Sequence, residues 1–237
     1  MQGDVVLQLD RVELAQPGFR LTADWSVPKG ARVALIGPSG AGKSSLLSAI
    51  AGFFPPVGGH VLWNGSALDG LAPGERPLSI LFQDQNLFPH LTVAQNVGMG
   101  LRTDLRLSAD QTARVTAALA RVGLAGMESR RPAELSGGQQ GRAALARVLL
   151  RARPVLLLDE PFAALGPALK TQMLDLLGDV AGETDATVLM VTHDPADARR
   201  FAGLTVLVEG GTAHAPAPTE ALFSAPPPEL AAYLGAA

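Results

Sequence analysis

Gly37-Pro38-Ser39-Gly40-Ala41-Gly42-Lys43-Ser44 fits the pattern G-x-x-x-x-G-K-S/T at every specified position. An apolar run, Val33-Ala34-Leu35-Ile36, precedes it, and a helix-compatible run, Ser45-Leu46-Leu47-Ser48-Ala49-Ile50, follows. Strand, glycine loop, helix is the context in which this pattern has a mechanism. The glycines let backbone N–H groups wrap a chain of phosphates, and the helix N-terminus adds a favourable dipole. Lys43 supplies a point charge for the β- and γ-phosphates, and the Ser44 hydroxyl is a ligand for Mg²⁺. With Ser45 beside it, the candidate nucleotide-binding stretch is 37–45. A glycine turn that binds nothing would need neither the lysine nor the hydroxyl. The stretch predicts an α/β protein of the phosphate-loop type that binds a nucleoside triphosphate.

Working outward, residues 4–14 and 19–27 alternate partly between apolar and polar, which predicts short strands joined by a turn at Gln16-Pro17-Gly18. Pro55-Pro56-Val57-Gly58-Gly59-His60 reads as a turn, and Val61-Leu62-Trp63-Asn64-Gly65 as a strand ending in a tight bend. Leu78-Ser79-Ile80-Leu81-Phe82 reads as a buried strand that stops at Gln83. From about 90 to 150 the chain is rich in Ala and Leu, and Ser108-Ala109-Asp110-Gln111 is a helix start of the capping-box kind. Val155-Leu156-Leu157-Leu158 and Thr187-Val188-Leu189-Met190-Val191 are apolar throughout, as expected of strands covered on both faces of a parallel sheet. A strand at 205–208 and an Ala/Pro-rich tail follow, and no internal repeat is visible. The predicted layout is one domain. A core with a mixed, largely parallel sheet and an N-terminal antiparallel part comes from 1–86 and 152–237, and a helical subdomain from about 87–151, with no room for a regulatory domain after it.

The 237 residues suffice for one sizeable α/β domain. A net charge of −3 and no Lys/Arg run indicate no nucleic-acid-binding surface along the sequence, a local patch formed in three dimensions staying open. There is no cysteine, which excludes disulfides and thiolate metal sites and is compatible with a reducing cytosol. The start, Met1-Gln2-Gly3-Asp4-Val5-Val6, lacks the basic segment and apolar block of a secretory signal. No apolar run approaches the length of a transmembrane helix, so any membrane role is expected to come through a partner.

Two acids, Asp159 and Glu160, end the strand at 155–158. Ligands of open parallel sheets lie beyond the carboxyl ends of the strands, so the pair is expected to face the phosphate loop. Asp159 suits Mg²⁺, directly or through water. Glu160 suits polarising an attacking water as general base. Leu135-Ser136-Gly137-Gly138-Gln139 sets the chain apart from other phosphate-loop proteins. A serine and two glycines opening a helix expose N–H groups at a positive helix end, which makes a second anion site. Taken alone, the same residues would read as a flexible turn.

Together these motifs resemble the ABC ATPase family, over nearly the whole chain. The resemblance implies that Leu135 to Gln139 is that family's signature. Ser136, Gly137, Gly138 and Gln139 would then complete the ATP pocket of the opposite subunit, so that two ATPs are sandwiched in a homodimer. It implies that Gln83 is the Q-loop glutamine, contacting Mg²⁺ and the water beside the membrane subunit. It implies that His193, in Val191-Thr192-His193-Asp194, is the switch histidine that touches the γ-phosphate.

A narrower resemblance rests on Leu81-Phe82-Gln83-Asp84-Gln85-Asn86-Leu87-Phe88-Pro89-His90-Leu91-Thr92-Val93-Ala94-Gln95-Asn96-Val97, with Ala51-Gly52-Phe53 and Pro161-Phe162-Ala163-Ala164-Leu165. These are similar to importer ATPases of the thiamine-uptake type. That implies a peripheral subunit on the cytoplasmic face of the inner membrane, energising uptake of thiamine and its phosphates through an integral-membrane permease fed by a periplasmic solute-binding protein. No nucleic acid partner is implied.

The chain departs from the family at Ala164-Leu165-Gly166-Pro167, where the family usually has an aspartate in place of Gly166. Loss of a carboxylate that hydrogen-bonds across the dimer implies weaker coupling between the two sites. Gly141 stands where the family commonly has a polar helix-former, and glycine there costs about 1 kcal/mol of helix stability. No aromatic clearly matches the adenine-stacking position; Phe19 is the candidate, against an ordinary core role. Other functions remain open. A soluble ABC ATPase of translation, DNA or cofactor assembly would carry tandem cassettes, coiled-coil insertions or basic arms, and none is visible. A nucleotide-gated interaction protein would bind ATP and dimerise but hydrolyse little. A small-molecule kinase would leave Leu135 to Gln139 unexplained.

Overall fold

Covering on both faces decides which apolar runs become the central strands. The computed structural model describes residues 5–83 and 87–235; Asp84, Gln85 and Asn86 of the importer-like run, and the first four residues, lie outside them. Strands β3 (Arg32–Ile36), β6 (Leu78–Leu81), β7 (Val155–Asp159), β8 (Thr187–Val191) and β9 (Leu204–Glu209) pair in parallel in the order β9-β3-β8-β7-β6. Val33, Leu35, Leu157, Leu189 and Val191 point into one hydrophobic cluster, while Ala34, Ile36, Leu156, Leu158, Val188 and Met190 point into another. With apolar partners above and below, both faces are chiefly apolar, Ser79, Thr187 and Thr205 being the buried polar exceptions, and the alternation typical of one-sided sheets is absent.

The first cluster lies between this parallel sheet, helix α1 (Lys43–Ala51) and an antiparallel part built from β1 (Val5–Gln16), β2 (Phe19–Pro28), β4 (Gly58–Trp63) and β5 (Ser66–Ala67). Tight turns set its registers. Gln16 pairs with Phe19 around Pro17-Gly18, and Trp63 pairs with Ser66 around Asn64-Gly65, whose φ values of 46° and 76° suit a two-residue hairpin loop. The stretch at 55–60, expected as a turn, is strand from Gly58 onward. The reason is long-range: Gly58 and His60 pair with Glu13 and Asp10 across an irregularity in β1. Short β10 (Thr212–Ala213) runs parallel to β2 and antiparallel to β9, which joins the two parts into one sheet.

Helices α5 (Pro167–Thr184) and α6 (Pro195–Phe201) cover the opposite face of the parallel sheet. The tail is ordered there too: β11 (Ala217–Pro218) pairs with β9, and α7 (Thr219–Ser224) and α8 (Pro228–Tyr233) bury Phe223 and Leu230 against the same cluster. Between β6 and β7 lie α2 (Val93–Gly98), α3 (Ala109–Arg121) and α4 (Gly137–Leu150), which share a third cluster through Val93, Val97, Val115, Leu119 and Ala146. Ser108 and Gln111 form the anticipated capping box, with N–H donations of 3.2 Å to Ser108 Oγ and 3.0 Å to Gln111 Oε1. Helix α4 serves two cores at once: Ala144, Leu145 and Val148 face the sheet, Ala143 and Ala146 the other helices. Gly141 is buried one turn before Ala144 and Leu145 on the same side, a packing role that the sequence did not disclose.

The far end of α1 is held by a buried arginine. Arg76 Nη1 donates to two carbonyls of the last turn, that of Ala49 (3.2 Å), which also accepts from Gly52 N–H (3.1 Å), and that of Ile50 (2.8 Å). Gly52 caps the same end at φ 89°, and any Cβ there would lie 2.5 Å from Arg76 Nε. Burial holds the guanidinium below its ordinary pKa, with Asp69 opposing. Arg76→Met leaves the Ile50 carbonyl without its donor and Ala49 with the Gly52 N–H alone, and is expected to lower stability by about 1.5–3 kcal/mol, the range for hydrogen bonds to a charged group. Urea unfolding of the two proteins checks this; equal midpoints would show that α1 needs no such anchor.

Candidate active site

Between β3 and α1 the chain turns through positions where a side chain could not fit. A Cβ on Gly37, at φ 151°, would lie 2.0 Å from the Val208 carbonyl oxygen of neighbouring β9. Gly42 is the N-cap of α1 at φ 101°, and a Cβ there would meet the Phe19 ring at 2.8 Å. Ala41 N–H closes the loop on the Pro38 carbonyl at 3.2 Å. Lys43 is buried at 7% exposure and donates from Nζ to the carbonyls of Gly37 (2.7 Å) and Pro38 (2.8 Å). Burial pushes its ammonium below the ordinary pKa, and the charges of Glu160 and Asp159 pull it partly back.

Ser44 Oγ donates to Asp159 Oδ1 at 3.0 Å, joining the first turn of α1 to the last residue of β7. Asp159 is 6% exposed; burial raises its pKa, the Ser44 bond opposes this, and Glu160 adds to it. The hydroxyl and carboxylate are hard oxygen donors of the kind a divalent cation takes. Glu160 follows in a left-handed conformation, φ 46°, with its N–H on the Val191 carbonyl at 3.2 Å. A non-glycine residue rarely adopts that angle, and such strain gathers where a side chain must be aimed. His193 Nδ1 lies 3.3 Å from Glu160 Oε2, although its side chain is 64% exposed.

These groups line one pocket of about 760 Å³, within the size range of small-ligand sites. Gly37, Ser39, Gly40, Gly42, Lys43, Ser44 and Ser45 form its floor, and Gln83, Glu160 and His193 its wall. Pro38, Ala41 and Asp159 stand behind this lining as supports. Gln16 and Phe19 line the pocket as well, and so does Tyr233. Tyr233 was not anticipated, because it comes from a tail whose composition suggested no fold; nothing local to it marks a pocket residue.

Ser136, Gly137, Gly138 and Gln139 are not part of this pocket. They open α4 elsewhere on the chain, with Ser136 as N-cap: its Oγ accepts from Gln139 N–H at 3.3 Å, and Gln139 Oε1 accepts from Ser136 N–H at 2.8 Å. The two glycines differ. A Cβ at Gly138 would lie 2.8 Å from Leu165 Cδ2, whereas one at Gly137 would meet nothing within 4 Å among the described residues. Gly166 is the N-cap of α5, without a side-chain cap and with open space at its Cβ position.

A family model described as ABC transporter matches residues 22–163. The thiamine import ATP-binding protein of Cereibacter sphaeroides is 63% identical over 230 residues, which are 97% of this chain and 100% of that protein. The chain belongs to the ABC transporter family. The thiamine import ATP-binding protein of a Ruegeria species is 55% identical over 98% of this chain and 100% of its own. Two solved structures are similar at 29% identity, covering 90% of this chain and 98% of theirs. One is a dimeric, post-hydrolysis ATP-binding cassette bound to ADP and Pi, with a TM-score of 0.79, and the other a dimeric bacterial ABC transporter cassette, with a TM-score of 0.80. As an ABC-type ATPase the chain has its phosphate loop, Glu160 and His193 around one pocket of about 760 Å³, with Asp159 bonded to Ser44 behind it. No helix among the described residues is long and apolar enough to cross a membrane.

Because folding raises the pKa of Asp159, the folded protein is penalised as pH climbs from the ordinary carboxylate value through the raised one, and the penalty persists at neutral pH. Asp159→Asn keeps an acceptor for Ser44 and discards the buried charge. It is expected to raise the melting temperature of nucleotide-free protein by a few degrees at pH 7, with the gain shrinking as pH falls toward 4. Thermal scans across that range check the sign; a lower melting temperature at pH 7 would show that the carboxylate is net stabilising.

Proposed function

We propose that this ABC ATPase energises uptake of thiamine and its phosphates through a separate membrane permease. The observation that carries the chemistry is the convergence of Lys43, Ser44, Glu160 and His193 on one pocket, with Asp159 directly beneath. The solute is supported by near-full-length identity to thiamine import ATP-binding proteins. The 37–45 loop binds the triphosphate, Lys43 exchanging its loop carbonyls for phosphate oxygens. Glu160 takes a proton from the attacking water, and His193, already on Glu160, orients that carboxylate and the γ-phosphate. Phe19, lying over Gly42 at the pocket's edge, supplies a face for the base. Ser44 Oγ and Asp159, with the Gln83 amide in the same pocket, fit Mg²⁺, which takes few protein oxygens and leaves the rest to phosphates and water. When bound, the ion would neutralise charge on the phosphates.

The second half of the site comes from another copy in a homodimer. Ser136, Gly137, Gly138 and Gln139 lie outside the pocket, and the open space at Gly137 leaves room for a phosphate or a partner's loop. The permease docks near Gln83, where Phe53 (55% exposed) meets Phe82 edge-on and Phe88 is 40% exposed. Exposed aromatics of this kind are anchors for a partner. A periplasmic solute-binding protein feeds that permease, and the ATPase sits on the cytoplasmic face of the inner membrane. The part from about 87 to 151 moves as a helical subdomain on the core of 1–86 and 152–237.

Cells lacking the gene are expected to lose uptake of labelled thiamine and to regain it with the wild-type gene; undiminished uptake would remove the solute assignment. Glu160→Gln is expected to keep ATP binding and to slow hydrolysis by about 10²–10⁴-fold, the contribution of a general base. Unimpaired hydrolysis would take Glu160 out of that role.

A second reading, a nucleotide-gated interaction protein with weak hydrolysis, draws on the bare N-cap at Gly166. Gly166→Asp fits without a clash, is expected to stabilise α5 by a few tenths of a kcal/mol as a better N-cap, and should raise turnover and its cooperativity in ATP. If both kinetic quantities are unchanged, Gly166 does not limit the site.

A further inference from the structure

The loop carrying His193 is gripped from two sides, and only one grip belongs to the sheet and its helices. On one side Lys170 of α5 pairs with Asp194 and, at 2.9 Å, with Asp197. Thr192 Oγ1 donates to Asp197 at 3.1 Å and accepts from Asp194 N–H at 3.1 Å. The Lys170 ammonium holds the Asp194 carboxyl below its ordinary pKa. On the other side the chain's single tyrosine, Tyr233, donates from its hydroxyl to the His193 carbonyl at 3.0 Å. Its ring lines the same pocket as Lys43 and Glu160. Burial, and then the charges of Glu160 and Asp194, push its phenol above the ordinary value, so it keeps its proton and remains a donor.

Tyr233 is delivered there by a docked tail. Ala217 pairs with Thr205 in β9, the Thr219 and Thr205 hydroxyls share a buried hydrogen bond of 2.9 Å, and Arg199 lies over the Phe223 ring at 4.9 Å. Leu230, one turn before Tyr233, has no exposed surface. The His193 side chain, by contrast, is 64% exposed, with its Nδ1 3.3 Å from Glu160. Its position depends on the backbone that bears it.

We propose that Tyr233 is a positioning residue for hydrolysis, and that α8 holds the His193 loop against Glu160 in the same chain. This rests on the role given to His193 above. The hydroxyl acts on a loop carbonyl, so its loss affects turnover more than nucleotide binding. Tyr233→Phe keeps the ring and removes only the donor.

The test measures hydrolysis at saturating ATP and magnesium, the ATP dissociation constant, and the melting temperature for wild type, Tyr233→Phe, His193→Ala and the double variant. Tyr233→Phe is expected to lower kcat by about 2- to 10-fold, the range of one neutral hydrogen bond, with KM and the dissociation constant unchanged. In the His193→Ala background the same change is expected to have no further effect. Wild-type kcat in Tyr233→Phe, or an equal additional loss in the double variant, would overturn the proposal. Wild-type activity in His193→Ala would instead refute the role of His193 itself, so the two failures are distinguishable.

Discussion

The Ser44–Asp159 hydrogen bond is the contact around which this molecule is organised. It ties the beginning of α1 to the end of β7 and fixes the distance between a phosphate-binding loop and an acidic strand end. Around it two opposite charges, Lys43 and Asp159, are buried, and burial drives both toward neutrality. Neither is fully compensated by the other. Each would gain from a ligand that brings phosphate oxygens to Lys43 and a cation to Asp159, and a ligand of that kind stabilises the fold by mass action. The two clusters that flank the parallel sheet supply the stiffness that keeps these charges where they are.

Helix α4 has an analogous place between the sheet and the helical part. Its sides belong to two cores, and at its start the cap Ser136 and Gly137 are exposed. Gly138 has its own reason for lacking a side chain, the passage of Leu165, whereas nothing among the described residues crowds a Cβ at Gly137. The proposed dimer gives Gly137 such a reason.

Much of the site could be read from sequence because its residues sit at strand ends that are themselves recognisable. The runs at 33–36, 155–158 and 187–191 announce buried parallel strands, and whatever follows such a strand lies at the ligand edge. That logic brings Glu160 to the edge where the phosphate loop carries Lys43 and Ser44, and His193 is implied there by resemblance to the family. It failed where long-range pairing overrides local preference. Gly58 to His60 looks like a turn and is strand, because β1 offers an irregular partner. The Ala/Pro-rich tail looks featureless and folds, because Phe223 and Leu230 find an apolar face already built.

By itself, then, the sequence determined the phosphate loop, the acidic strand end, the helix caps and the family, since each is written in residues that are near neighbours along the chain. Tertiary structure alone decided that Gly37 must yield to the Val208 carbonyl, that Arg76 closes α1, and that Tyr233 reaches His193 across forty positions of chain. Those contacts join segments far apart in sequence. No local pattern encodes them, because they exist only after the sheet has brought their backbones together.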